Sequence, residues 1–282
     1  MNKINYKQLV YVVFLQIIVF ISPSVLAGQL AIVIDDIGYR NKEDLAIYEL
    51  PKEVNIAIIP SAPHAADRAK KAFEQGRDIL IHLPMQPKNS AVLVEAGALT
   101  VGMNEDKIKH LVEFSRVRVP YAIGLNNHMG SGATSDRKTM EYLMKVLSSQ
   151  QLFFLDSKTV GDSVAYKVAK EFGVNALERN IFLDNSDELS DVQHQFNSAI
   201  NYARKHGLAI MIGHPRKNSI SVLKKGIAHL PSDIELVKIG TLWRNEKIEP
   251  KRPFITLFDV EPASTSVPPF ESVPMLRGLP KE

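Results

Sequence analysis

Short apolar runs rich in β-branched residues recur along the chain, each followed by a stretch with helical period. The runs are Leu30–Ile34, Val54–Ile59, Ile79–Ile81, Tyr121–Leu125, Leu152–Leu155, Ile181–Leu183, Leu208–Ile212 and a less marked Ile234–Ile239. Between them, apolar residues fall at i, i+3, i+4, i+7, as in Met140, Leu143, Met144 and Leu147 behind a Ser135 cap. Ile108, Leu111 and Val112 follow the same spacing. So do Val164, Val168, Ala169 and Phe172 before Gly173, and Val192, Phe196, Ala199, Ile200 and Ala203 before Gly207. Ile220, Leu223, Ile227 and Leu230 make the last face. Strands alternating with helices predict βαβ units and a parallel sheet. Seven or eight such units predict an α/β fold, a distorted (β/α)7-type barrel with parallel strands and outer helices. An open doubly wound sheet is the other solution, but no G-x-G-x-x-G or P-loop follows any run.

The two ends break this pattern. Residues 1–27 combine a basic start (Lys3, Lys7), an apolar run from Leu9 to Ile21, a breaker at Pro23 and a small-x-small site at Val25-Leu26-Ala27. That is the layout of a cleaved signal peptide, and the run is short for the ~20 residues of a membrane span. The rest of the chain is therefore expected outside the cytoplasm, in the periplasm or cell envelope, touching a membrane only through the leader. From residue 249 to 282 no period survives and prolines crowd at 250, 253, 262, 268, 269, 274 and 280. This predicts a disordered tail after a folded region spanning 28–248.

Composition removes several chemistries. With no cysteine among 282 residues, disulfides, thiolate metal sites and thiol nucleophiles are excluded, so any metal must be held by His, Asp or Glu. The chain carries 34 Lys and Arg against 31 Asp and Glu. Without Lys3 and Lys7 the balance is 32 against 31, a net +1, too weak a field for nucleic-acid binding.

In a parallel barrel the chemistry collects where the strands end. The residues after the runs are Asp35-Asp36, His82, Asn126-Asn127-His128, Asp156, Asp184 and His214. An Asp there often caps the next helix, and that reading suits Asp156 and Asp184 as well as a functional one. It suits Asp35-Asp36 less, because Asn41 stands nearer the next helix and adjacent carboxylates repel unless a cation joins them. Three imidazoles share this rim with the carboxylate pair, and neutral imidazoles plus one carboxylate are an ordinary zinc ligand set. His64, in the loop after the second run, is held in reserve, whereas His110, His194, His206 and His229 fall in helical stretches. Gly38, Gly130 and Gly132 would let backbone approach a ligand. Asn127 and Ser131 flank His128 and are candidates to orient it or contact substrate. Tyr39, Tyr121 and Trp243 are the aromatic candidates for a sugar platform.

As a set these residues are recognisable. Ala31-Ile-Val-Ile-Asp-Asp-Ile-Gly38 resembles the Asp-Asp motif of the polysaccharide deacetylase (NodB-homology) superfamily. Ile81-His-Leu-Pro-Met-Gln-Pro87, Asn126-Asn-His-Met-Gly-Ser131, Phe154-Leu-Asp-Ser157 and Ile212-Gly-His-Pro215 resemble its divergent polysaccharide deacetylase branch, found in bacterial envelopes. The resemblance covers roughly residues 29–245. It implies a divalent-metal hydrolase, with Zn²⁺ the expected ion, that removes N-acetyl groups from an envelope polysaccharide or peptidoglycan. By position Asp35 resembles the general base, Asp36 the metal carboxylate, His82 the first metal histidine and His214 the general acid. The better-known deacetylases carry two metal histidines one helical turn apart, but no second His follows His82 here. His128 is taken as the third ligand. Asp156 or Asp184 is left to orient His214 or to bind sugar hydroxyls.

Three other readings use the same residues. A glycan- or peptidoglycan-binding protein would keep the pocket without cleaving. A metal phosphoesterase would need cationic help, for which Arg40, Arg179 and Arg216 are the candidates. An envelope scaffold would place the function in the Pro-rich tail.

Overall fold

The computed structural model describes residues 28–95 and 97–242. The leader, the tail, the 248/249 boundary and Trp243 lie outside the described residues. Nine strands are present among those described: β1 Gly28–Ile37, β2 Asn55–Ile58, β3 Ile79–Met85, β4 Gly124–Met129, β5 Phe153–Asp156, β6 Ala176–Glu178, β7 Ile181–Phe182, β8 Leu208–Gly213 and β9 Ile234–Val237. Seven α-helices connect them: α1 Asn41–Ile47, α2 Ala65–Glu74, α3 Glu105–Arg118, α4 Arg137–Ser149, α5 Ala165–Glu171, α6 Leu189–His206 and α7 Lys217–Ala228.

Every ladder is parallel, and the strand order is β6-β5-β4-β3-β2-β1-β8-β7. The sheet curls into a half-barrel with helices outside it. The barrel is incomplete because no ladder among the described residues joins β6 to β7. β9 pairs Gly28–Ala31 of β1 in parallel, and β2 takes over further along β1, from Val33. Asn55 bridges this hand-over, its Nδ2 donating to Ile32 O at 2.7 Å and its Oδ1 accepting from Ile239 N at 2.9 Å.

The strand period of two sorts the core into two layers. Leu30, Ile32 and Ile34 of β1 face outward and pack with Ile79, Ile81, Leu83 and the helix faces of Met140, Leu143, Val192, Phe196 and Leu223. Each such fully buried side chain is worth about 1.5–3 kcal/mol. Ala31, Val33, Ala57, Leu80, Phe153, Leu155, Ile210 and Ile212 face inward and fill the barrel. Continuing the inward register upward gives Asp35 after Val33, His82 after Leu80 and His214 after Ile212.

Several boundaries differ from the sequence expectation. β3 and β4 run through His82 and His128 rather than stopping before them, because backbone pairing continues after the apolar filling ends. The Tyr121–Leu125 run is a strand only from Gly124; Tyr121 itself has φ +67 in a turn and stacks on Phe73 at 4.0 Å. The α4 cap is Asp136, accepting from Thr139 N at 2.8 Å, not Ser135. Asn41 does not cap α1; its Oδ1 accepts from Arg68 Nη2. Gly207 closes α6 with φ +81, as its position predicts.

Candidate metal centre

The two adjacent carboxylates of β1 should point to opposite faces of a regular strand. They do not, because the pairing of β1 with β2 slips between Ile34 and Ile37 and Asp36 adopts φ +57. A left-handed aspartate costs about 1–3 kcal/mol and persists only where its surroundings enforce it. Here Gly38, at φ +123, follows the bulge. A Cβ on Gly38 would lie 2.6 Å from that of Ala62. Asp44 holds the turn from below, accepting from Gly38 N at 3.0 Å and pairing with Arg68 at 3.3 Å. The bulge therefore brings Asp35 and Asp36 to the same pocket.

Three atoms meet there. His128 Nδ1 lies 3.0 Å from Asp36 Oδ1 and 3.1 Å from His82 Nε2, and His82 Nε2 lies 3.3 Å from Asp36 Oδ1. Asp36 Oδ1 is buried and accepts no hydrogen bond. These separations suit a small cation. Ligands about 2.0–2.1 Å from a tetrahedral ion stand about 3.3 Å from one another. One carboxylate oxygen and two imidazole nitrogens are also a donor set zinc accepts. Among the described residues this is the His/Asp/Glu cluster able to hold an ion, and the residues present fit one.

The tautomer supports the same reading. Asn126 Nδ2 donates to Asp35 Oδ1 at 2.9 Å and contacts Ser157 Oγ at 3.2 Å. Its Oδ1 must then accept, and His82 Nδ1 lies 2.9 Å away. With the proton assigned to Nδ1, neutral His82 presents a bare lone pair at Nε2. That lone pair faces Asp36 Oδ1 and, at 3.6 Å, Asp35 Oδ2.

His214 closes the other side. Its Nε2 lies 3.8 Å from Asp36 Oδ2, and its Nδ1 lies 2.9 Å from Asp184 Oδ1. Asp184 Oδ2 also accepts from His214 N at 2.8 Å and from Ser219 Oγ at 2.7 Å. Asp184 thus serves His214 and not the next helix as a cap.

Charge follows geometry. Burial pushes the Asp35 carboxyl above its usual range, against the pull of His82 and His214. Burial also opposes ionisation of Asp36, but contacts with His128 and His82 hold it well below the carboxylate range. His82 is disfavoured as a cation by burial, yet Asp35, Asp36 and Asn126 raise it to about 9. His214 is raised for the same reason, with the Asp184 hydrogen bond foremost among its supports.

Other candidates stand elsewhere. Asn127 Oδ1 accepts from Ser157 N and its Nδ2 donates to Met129 O, so it braces two loops. Ser131 Oγ accepts from Lys88 N. Asp156, on the outward register of β5, accepts from Lys158 N and Ser163 Oγ, a turn-bracing role. Gly38, Gly130 and Gly132 make room for Ala62, Met85 and the Gln86–Pro87 backbone rather than for a ligand. Arg179 donates to Ser157 O and Lys158 O, and Arg216 to Asp184 O and Asp187 Oδ1, so both are loop clamps. His64 lies outside the cluster, as do the exposed His110, His194, His206 and His229. Asn126 is the site residue that the sequence reading left without a role; its inward register, two residues before His128, is the signal that could have found it.

The fold is a parallel half-barrel with a carboxylate and two imidazoles converging at its mouth, a group able to hold a metal ion. The divergent polysaccharide deacetylase pattern matches residues 32–243, and the chain belongs to that family. It is 56% identical over 262 residues to an uncharacterized protein of Haemophilus influenzae, covering 93% of each chain. It is 41% identical over 233 residues to the uncharacterized protein YibQ of Escherichia coli, covering 83% of this chain and 73% of that one. An uncharacterized Agrobacterium tumefaciens protein of known structure superposes with a TM-score of 0.73 at 20% identity, over 77% of this chain and 89% of that one. That likeness establishes a shared fold.

Proposed function

We propose that this chain is a divalent-metal-dependent hydrolase, exported to the cell envelope, that removes N-acetyl groups from a polysaccharide. The observation that carries the reading is the buried, unbonded Asp36 Oδ1 between His82 Nε2 and His128 Nδ1. Family membership supports the substrate class, and the leader composition supports export.

Asp36, His82 and His128 would hold the ion, Zn²⁺ being the best match to the donors. Bound there, a divalent cation supplies Lewis acidity to an amide carbonyl and to water. Asp35, buried and of raised basicity, accepts the proton released as water attacks. Asn126 fixes that carboxylate and the His82 ring together. His214, cationic and steered by Asp184, delivers a proton to the departing amine. The C–N bond breaks, acetate leaves, and a free amine remains on the sugar.

Elemental analysis of the purified chain, run beside acetate release from N-acetylglucosamine oligomers, tests this. Stoichiometric metal with acetate release is the expected result. Metal without acetate release would favour a glycan binder; neither would overturn the reading.

A further inference from the structure

The turn that carries Asp36 is clamped from several sides. The peptide plane between Ile37 and Gly38 is held at both edges. Its carbonyl accepts from Ile59 N at 3.1 Å, and its N–H donates to Asp44 Oδ2 at 3.0 Å. The next carbonyl, Gly38 O, accepts from His64 N at 3.2 Å. Ile59 N and His64 N are backbone donors that need an acceptor in any case. Asp44 supplies the side-chain clamp.

Asp44 is a costly residue where it stands. It lies in the first turn of α1, where an acidic side chain helps the helix just as well from the solvent. Here it is fully buried. Arg68 Nε lies 3.3 Å from Oδ2, while Oδ1 is buried with no hydrogen-bond partner. Burial pushes the carboxyl above its usual range, although the Gly38 amide and Arg68 draw it back. A neutral acceptor would satisfy Gly38 N without the desolvation of a charge. Two residues before Gly38, Asp36 is left-handed and its own Oδ1 is unbonded as well. Two locally unfavourable carboxylates around one amide mark a turn shaped for a purpose other than stability. Arg68 Nη2 also donates to Asn41 Oδ1 at 2.6 Å, so the same guanidinium ties the start of α1 to α2.

We propose that Asp44 is a positioning residue for the metal centre. Through the Gly38 amide it holds the β1 turn in the shape that aims Asp36 Oδ1 at His82 Nε2 and His128 Nδ1 before an ion is bound. Arg68 fixes the carboxylate in place. The proposal rests on the metal-binding part of the proposed function and not on the reaction catalysed.

The test separates positioning from stability by measuring Zn²⁺ affinity, in competition with a chromogenic chelator, beside urea midpoints. Asp44→Asn keeps an acceptor for Gly38 N but leaves the Arg68 guanidinium buried without its carboxylate. It should lose stability yet bind Zn²⁺ within about threefold of wild type. The double variant Asp44→Val with Arg68→Met removes the ion pair as a unit, which restores stability, but it also removes the acceptor. It should bind Zn²⁺ about 10-fold to 100-fold more weakly. A purely structural role gives the opposite order, with affinity following the urea midpoint. A folded double variant with wild-type affinity overturns the proposal, as does an Asn variant that loses as much as the double. Amide hydrogen exchange at Gly38 in metal-free wild-type protein needs no variant to fold. That amide should already be protected; free exchange until Zn²⁺ is added would mean that the ion shapes the turn, and overturns the role of Asp44. Wild-type protein that takes up no Zn²⁺ fails the metal reading and this proposal together. Wild-type protein that binds Zn²⁺, with both variants unchanged, fails this proposal alone.

Discussion

The amide oxygen of Asn126 stands 2.9 Å from Nδ1 of His82. The same Asn126 holds Asp35 through its Nδ2. One buried amide therefore sets the tautomer of a candidate ligand and the orientation of the candidate base. Asn126→Ala removes both restraints. It should weaken metal affinity by about 10-fold to 100-fold and lower turnover further at saturating metal, measured by competition with a chromogenic chelator and by acetate release. Affinity equal to wild type would contradict the tautomer argument.

Asp35 and Asp36 should separate in their effects although they are neighbours. Asp36→Ala removes the central oxygen of the cluster and should abolish stoichiometric metal. Asp35→Asn keeps the cluster and should retain metal while losing turnover by about 10²-fold or more. Full activity in Asp35→Asn would remove the role given to that residue.

Asp184→Asn should leave metal content unchanged, because Asp184 meets the centre only through His214. The imidazolium would lose its partner, so kcat should fall by at least about tenfold with little change in KM. The limb of the pH profile assigned to His214 should also move to lower pH, since the Asp184 hydrogen bond raises that group. A profile that does not move would reduce Asp184 to a packing role.

Protons and a bound metal ion would compete for His82. Its folded-state value is raised from 6.5 to about 9, so the folded chain holds the proton more tightly than the unfolded one. That contribution is fully present below about pH 6.5 and is lost as pH rises through about 9. Metal-free protein should thus lose urea resistance between those values. With a divalent cation in excess the trend should reverse, because ligation needs the neutral imidazole. Urea midpoints of the metal-free chain that stay flat from pH 6.5 to 9 would count against the arrangement.

Arg68→Met should destabilise the fold by about 3 kcal/mol or more, because it strands the fully buried Asp44. Chemical denaturation reads this directly. A loss under about 1 kcal/mol would mean the pair behaves as a surface contact.

The βα alternation was legible because parallel strands buried on both faces leave apolar runs that period alone reveals. Asp36, His82 and His128 were legible as types at strand ends. Which of the rim residues turn inward was not. Asn127 sits beside two site residues in sequence and Asp156 at a strand end like the others, yet both face away, because side-chain direction alternates every residue. Asp36 should have faced away too, and a register slip in β1 reverses it.

The chain's own order of residues determined the helix faces, the parallel architecture and the supply of carboxylates and imidazoles. Tertiary structure alone decided that Asp36, His82 and His128 meet within 3.3 Å, that Asn126 joins Asp35 to His82 and that no ladder among the described residues joins β6 to β7. Local pattern records what each residue prefers. Convergence of residues tens of positions apart depends on how the sheet curls and where its pairing slips.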